Sequence, residues 1–330
     1  MNLKKKTVLV TGADGFIGSH LVEGLLKREA RVKALVLYNS FNNWGWIDTL
    51  PSKLLNKMSV LQGDIRDINS VNDALKGVDV VFNLAALIGI PFSYQAQDIY
   101  VDTNIKGTLN ILQAARNLKT ERIIHTSTSE VYGSAQYIPI DEKHPINPQS
   151  PYAATKASID HLALSFHKSF NLPVTILRPF NTFGPRQSAR AVIPTILIQA
   201  LSGKSSIELG NTNTTRDFTY VSDTVEAFMK IAEANQTEGN IYNCASNKEI
   251  SMRELVNIIG TTINKKIIIK CDKARVRPEK SEVKRLKGDY DKLYNVCGWK
   301  PKVLLEKGIS ITFNWMKDNL DKYKPQLYNI

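Results

Sequence analysis

The sequence predicts an α/β protein: a doubly wound parallel sheet followed by a smaller C-terminal α/β lobe. Two observations carry this. Short, wholly apolar runs alternate with helix-periodic segments through the first half of the chain, the pattern of a parallel sheet covered on both faces. A glycine triplet separates the first such run from the first helix. With 330 residues, 43% of them hydrophobic and 22% charged, the chain can bury one large core or two smaller ones.

Taken in order, "TVLVTG" (7–12) is apolar and β-rich, and "IGSHLVEGLLKRE" (17–29) has helical periodicity, with Ile17, Leu21, Gly24 and Leu25 on one side. "RVKALVLY" (31–38) and "MSVLQGD" (58–64) read as strands. "SVNDALKG" (70–77) reads as a helix with Ser70 as N-cap and Gly77 closing it. "VDVVFNLAA" (78–86), "ERIIHTST" (121–128) and "LPVTILRP" (172–179) continue the strands, with helices near 99–118 and 152–170. Past residue 179 prolines and glycines loosen the pattern. Segments 216–234 and 239–246 read as a return to the first sheet by helix and strand, and 250–330 as the smaller lobe. The expected organisation is a first domain over 1–179, with return segments near 216–246, interleaved with a second lobe over 180–330.

Composition narrows the partners. The net charge is +12, but it is dispersed. The densest basic stretches are "LKKK" (3–6) and "KARVRPEKSEVKRLK" (273–287), and the second carries two glutamates, so no nucleic-acid partner is expected. Cys244, Cys271 and Cys297 are far apart and form no CxxC pair, which suggests neither a metal site nor a disulfide framework and suits a reducing cytoplasm. No run reaches about 18 apolar residues, so no membrane span is expected. The apolar run after "MNLKKK" is too short for a signal sequence.

"VTGADGFIGSHL" (10–21) places Gly12, Gly15 and Gly18 between the first strand and the first helix. Glycine at these points permits a tight turn, lets backbone amides approach a pyrophosphate and lets helix and strand pack closely. The helix N-terminus favours the phosphate charge. The GxxGxxG spacing resembles the short-chain dehydrogenase/reductase superfamily in its extended form, which implies a Rossmann-type fold and a nicotinamide dinucleotide. That resemblance implies cofactor contacts from Gly12, Gly15, Phe16, Ile17 and Gly18, from Asp64 and Ile65 in "GDIRD" (63–67), and from Leu84, Ala85 and Ala86 in "NLAA" (83–86). Asp64 would accept from the adenine amino group. An acid usually ends the second strand to bind ribose hydroxyls. Here that position is Val36, and no arginine follows at once to take a 2′-phosphate. Asn39 and Ser40 are the nearby candidates for the ribose. NAD is expected, with NADP left open.

"YAATK" gives Tyr152 and Lys156, an i,i+4 pair on one helix face. A lysine ammonium near a phenol lowers the tyrosine pKa and makes a general base near neutral pH. YxxxK alone is common on solvated helices. Its place, after the strand that ends at Thr128, is that of the superfamily's catalytic pair.

"TSTSEVYG" (126–133) ends that strand with hydroxyls and one carboxylate. Hydroxyls can satisfy loose backbone groups. Burying Glu130 is costly unless it is paired or used. The Thr128-Ser129-Glu130 pattern resembles GDP-mannose dehydratases among nucleotide-sugar 4,6-dehydratases, and also UDP-glucuronate decarboxylases. Simple 4-epimerases typically lack the glutamate. The resemblance implies that Tyr152 takes the O4 proton, Lys156 tunes it, Thr128 binds O4 and Glu130 removes the C5 proton. Many glucose-type dehydratases have Asp where Ser129 stands, so the acid for the leaving hydroxyl stays open.

"LYNSFNNWGWID" (37–48), "AALIGIPFSYQAQDIYVDTNIKGTLNILQAAR" (85–116) and "FNTFGPRQSARAVIPT" (180–195) resemble the dehydratases that open legionaminic acid biosynthesis, which act on nucleotide-activated N-acetylglucosamine. The resemblance implies that Asn181 contacts the substrate diphosphate, with Arg216 and Arg277 neutralising it, Arg186 also binding substrate, and Ser93 and Ser129 near the sugar. It also implies a homodimer through the helices near 99–118 and 152–170. GDP and UDP, and dimer and tetramer, are not separated. A decarboxylase, a 4-epimerase and a non-enzymatic dinucleotide-binding redox sensor are the alternatives.

Overall fold

The computed structural model describes residues 1–204 and 206–327. Its main sheet has seven strands: β1 (Thr7–Thr11), β2 (Arg31–Leu37), β3 (Met58–Gly63), β4 (Val80–Asn83), β5 (Arg122–Thr126), β6 (Val174–Pro179) and, from much later in the chain, a strand at Ile241–Cys244. Every neighbouring pair in it is parallel. A second sheet joins β7 (Asn181–Phe183), β9 (Thr215–Tyr220) and β11 (Glu249–Ser251). A third pairs β8 (Ser206–Leu209) with β12 (Ile268–Cys271), and the late strand at Ile241–Cys244 is β10. The order of the large sheet is β10-β6-β5-β4-β1-β2-β3. The chain therefore reverses direction across the sheet between β1 and β4, and the crevice beyond their C-terminal ends is where such sheets bind ligands. The doubly wound Rossmann-type sheet expected from the strand–helix alternation is the sheet observed.

The helices are α1 (Phe16–Lys27), α2 (Ser52–Leu55), α3 (Ile68–Leu75), α4 (Ile90–Ser93), α5 (Gln97–Tyr100), α6 (Gly107–Asn117), α7 (Pro151–Phe170), α8 (Val192–Leu201), α9 (Val221–Glu233), α10 (Met252–Thr262), α11 (Asp291–Cys297) and α12 (Leu305–Asp318). α1 and α9 lie together, although they come from opposite halves of the chain: a Cβ on Gly24 would sit 3.1 Å from Val225. Between α5 and α6 runs a π-helical turn, Val101–Lys106, so the expected helix near 99–118 is a composite of three pieces. One apolar core joins the lobes, with Val8 and Phe82 of the large sheet in the same buried cluster as Leu197, Leu255 and Ile309 of the smaller lobe.

Two expectations are corrected. The N-cap of α3 is Asp67, not Ser70: the helix starts earlier, and the Asp67 carboxylate accepts from the N–H groups of Asn69 and Ser70. The Ser70 hydroxyl instead accepts from the Asp64 N–H at 3.2 Å. Residues 216–220 do not return to the large sheet. They lie in β9, held between β7 and β11, and only α9 and β10 rejoin the first layer.

Candidate active site

The glycine loop sits at the sheet's switch point. Gly12 has φ +66, a left-handed conformation that favours glycine, and a Cβ there would lie 3.0 Å from the Ala85 backbone. A Cβ on Gly18 would come within 2.1 Å of the Gly12 carbonyl, so the turn admits no side chain at that point. Gly15 is exposed at the start of α1, where a Cβ would sit 3.3 Å from the Gly12 carbonyl. Phe16 and Ile17 form the first turn of α1. The Thr11 hydroxyl donates to Asn83 Oδ1 at 2.8 Å and accepts the N–H groups of Leu84 and Ala85, each at 3.0 Å. That ties the 84–86 segment beside the loop. This cradle fits a dinucleotide pyrophosphate against a helix N-terminus.

At the adenosine end, Asp64 is engaged by the guanidinium of Arg66 at 2.6–3.1 Å, and this partner holds its carboxyl below the usual range. Ile65 is buried against Gly107 of α6 and presents only its backbone. Asn39 does not face a ribose. Its amide donates to the carbonyls of Leu37 and Asn43 and its oxygen accepts from Phe41 and Asn43, so the side chain folds its own loop. The Trp44–Trp46 stretch packs on the protein itself. The Trp46 N–H donates to the Asp14 carbonyl at 3.0 Å, and its ring packs edge-on to Trp315 of α12, centroids 5.3 Å apart.

β5 delivers the next group. Thr128 has extended backbone and caps a 3₁₀ turn, Ser129–Tyr132, its hydroxyl accepting from the Glu130 N–H at 3.2 Å. α7 begins with Ser150 as N-cap and Pro151 at its first position. Tyr152 and Lys156 then face inward and are buried. The Tyr152 phenol is hydrogen-bonded to Thr128, and its ring lies edge-on to Tyr100, centroids 6.4 Å apart. Lys156 Nζ donates to the Thr126 carbonyl at 2.5 Å, and burial lowers its pKa to about 8.

The tyrosine differs from expectation. Burial raises the Tyr152 pKa, and the nearby Glu130 charge raises it further. The Lys156 ammonium is directed to a backbone carbonyl, so same-face placement alone does not lower the phenol.

Glu130 is buried, and no hydrogen bond or ion pair engages its carboxylate among the described residues. It lies in the field of both Tyr152 and Arg216. Ser129 is buried in the same turn. Below them, Asp160 accepts from Ser127 at 2.7 Å and from Arg178 at 2.9–3.0 Å, and Arg178 also donates to the Tyr132 hydroxyl.

A cavity of about 240 Å³ opens beside this turn, between β7, the start of α8, β9 and the 275–282 segment. Asn181, Arg190, Arg216, Arg275, Arg277 and Glu282 line it. Arg216 donates to the carbonyls of Thr215 and Val283 and reaches Glu282 at 3.4 Å. Burial penalises the Arg216 charge, and neighbouring Arg277 adds to that. Asn181 Oδ1 and Arg277 Nη1 are buried with no hydrogen-bond partner. An anion in the cavity would relieve these guanidinium groups.

Two expected ligands are elsewhere. Arg186, at a left-handed φ of +67, pairs with Glu23 of α1 at 3.1 Å and does not line the cavity. Ser93 is fully buried and its hydroxyl donates to the Ile90 carbonyl at 2.7 Å, closing the turn of α4. Arg190 and Arg275 also line the cavity, and no motif in the sequence points to them. Nor does one point to Asn104, on the π-helical turn, which bridges Leu87 and Thr155.

The family model for GDP-mannose 4,6 dehydratase matches residues 9–312. A putative UDP-glucose 4-epimerase of Methanocaldococcus jannaschii is 34% identical, over 94% of this chain and 99% of that protein. A UDP-N-acetyl-alpha-D-glucosaminuronate decarboxylase of Bacillus cytotoxicus is also 34% identical, over 95% and 98%. The solved dTDP-glucose 4,6-dehydratase of Streptomyces venezuelae, with NAD bound, superposes with a TM-score of 0.85 at 29% identity, covering 97% of this chain and 99% of that one.

Proposed function

The chain belongs to the GDP-mannose 4,6-dehydratase family of extended short-chain dehydrogenase/reductases, enzymes of nucleotide-sugar chemistry, and from that premise we propose that it is an NAD-dependent nucleotide-sugar 4,6-dehydratase. The observation that carries the reading is Glu130, a buried carboxylate with no hydrogen bond to its oxygens among the described residues, set between the Tyr152 hydroxyl and the charge of Arg216. A 4-epimerase has no step for such a base. A decarboxylase carries the same glutamate by the resemblance above, so the product, not Glu130, separates it from a dehydratase.

NAD fits the glycine cradle and supplies the hydride acceptor for C4, returning the same hydride at C6. Thr128 holds O4 and Tyr152 removes its proton. The Lys156 ammonium favours the phenolate that takes this proton and becomes the phenol. With C4 a ketone, the C5 proton is acidic, and Glu130 takes it. Glu130 then passes that proton to the C6 hydroxyl, which leaves as water. Ser129 therefore need not serve as an acid. The proton that Tyr152 took from O4 then supplies C5, by way of the solvent or a site side chain, as hydride is delivered to C6; the phenolate is restored and the product is a 4-keto-6-deoxy sugar. Asn181, Arg216 and Arg277 hold the diphosphate.

The proposed substrate is a GDP- or UDP-activated N-acetylglucosamine, in surface-glycan synthesis of the legionaminic acid type. The three quoted stretches at 37–48, 85–116 and 180–195 support it. We place the enzyme in the cytoplasm, where its three unpaired cysteines are at home. Among the described residues no helix is long and apolar enough to cross a membrane. Exposed Ile99 and Val101 beside the π-turn support a homodimer.

The test is the mass of the product formed from each sugar nucleotide. Loss of one water without net cofactor reduction is expected. Carbon dioxide from UDP-glucuronate, with no change in either N-acetylglucosamine nucleotide, overturns the reading.

A further inference from the structure

The end of β2 carries Val36 where an acid ordinarily takes the adenosine ribose, and Asn39 is bound up in its own loop. The fold brings a different carboxylate to that point. Asp14, inside the glycine loop, accepts the Leu37 N–H through Oδ2 at 3.3 Å, so its carboxylate sits on the C-terminal end of β2. Its carbonyl accepts the Trp46 N–H at 3.0 Å. Gly45, at φ +58, lies so close that a Cβ would be 2.6 Å from the same carbonyl. The loop is thus held from two sides. No ion pair engages Asp14 among the described residues, and burial raises its carboxyl pKa. A carboxylate in a pyrophosphate loop is repelled by the ligand unless it is directed elsewhere. Here it is directed to the adenosine end.

We propose that Asp14 is the specificity-determining residue of the cofactor site: it receives the adenosine 2′-hydroxyl of NAD, and its charge rejects the 2′-phosphate of NADP. The role that other chains give to the end of β2 has moved into the glycine loop. This concerns the cofactor alone and stands whichever sugar is the substrate.

The test is calorimetric titration of the cofactor-stripped chain with NAD, NADP and the 2′-deoxyadenosine analogue of NAD. The unaltered protein should bind both NADP and the deoxy analogue at least about tenfold more weakly than NAD, the scale of one hydrogen bond to a charged group. Asp14→Asn keeps the acceptor for Leu37. It should bind NAD roughly tenfold more weakly, no longer separate NAD from its deoxy analogue, and narrow the NAD-to-NADP ratio by about tenfold or more. Equal affinity of the unaltered protein for NAD and the deoxy analogue overturns the proposal, as does an Asp14→Asn protein with an unchanged NAD-to-NADP ratio. If that variant does not fold, the deoxy analogue on the unaltered chain still decides.

Discussion

Asp160, on α7, and Glu130, on the turn before it, are both buried carboxylates, and their surroundings differ. Asp160 accepts from Ser127 and from two nitrogens of Arg178, itself anchored to Tyr132. Glu130 has no hydrogen bond to its carboxylate among the described residues, only the charge of Arg216 and the phenol of Tyr152 beside it. A buried charge with partners is part of the framework, because removing one partner strands the other. A buried charge without them is a standing cost to the fold, and it persists where a reaction uses it. The contrast separates architecture from chemistry within one short stretch of chain.

The sharpest way to break the comparison is Glu130→Gln. Dehydration should fall by roughly 10²–10⁴-fold, with no loss of thermal stability, while sugar oxidation remains visible as a rise in nicotinamide absorbance. Melting that drops as far as for an Asp160 variant would end the distinction. Asp160→Asn should do the reverse. It leaves Arg178 buried and unpaired, and urea unfolding should show a loss of about 3–5 kcal/mol; a change under about 1 kcal/mol would count against the architectural reading.

Lys156 links the two. Burial lowers its pKa to about 8 from 10.5, and Asp160 opposes that shift. Between these values the unfolded chain binds more protons than the native one, so the contribution of Lys156 to stability rises with pH across that window. Turnover needs the ammonium and should fall as pH passes about 8. A kcat–pH profile measures this limb, and in Asp160→Asn it should move to lower pH. The smallest effect is expected in the cavity. Arg277→Ala should raise KM for the sugar nucleotide roughly tenfold, with kcat within about twofold, read from initial rates.

The glycine triplet, the Tyr152–Lys156 spacing and the Thr128–Glu130 run were legible because each is local: neighbours in sequence are neighbours in the site. What was not legible depends on long-range partners. Arg186 reads as a phosphate ligand until Glu23 of α1 is seen beside it. Ser93 reads as a sugar ligand until the Ile90 carbonyl takes its proton. Helical spacing put Tyr152 and Lys156 on one face but could not say that the ammonium meets the Thr126 carbonyl. Ser70 and Asp67 are both good caps, and only the start of α3 chooses between them. Asp14 went unnoticed because a ribose acid is sought on β2, and the residue that reaches the end of β2 belongs to another segment.

The place of β10 has a consequence for how the protein is made. β6 closes the first half of the chain, yet the strand that covers its far edge is not synthesised until residues 241–244. A nascent chain that has reached Pro179 carries an open, wholly buried-type apolar edge. α1 likewise waits for α9. A gene cut after codon 179 should therefore yield inclusion bodies rather than a free-standing cofactor domain. The ribosome must pass residue 244, well into the interleaved second half, before the first sheet is sealed.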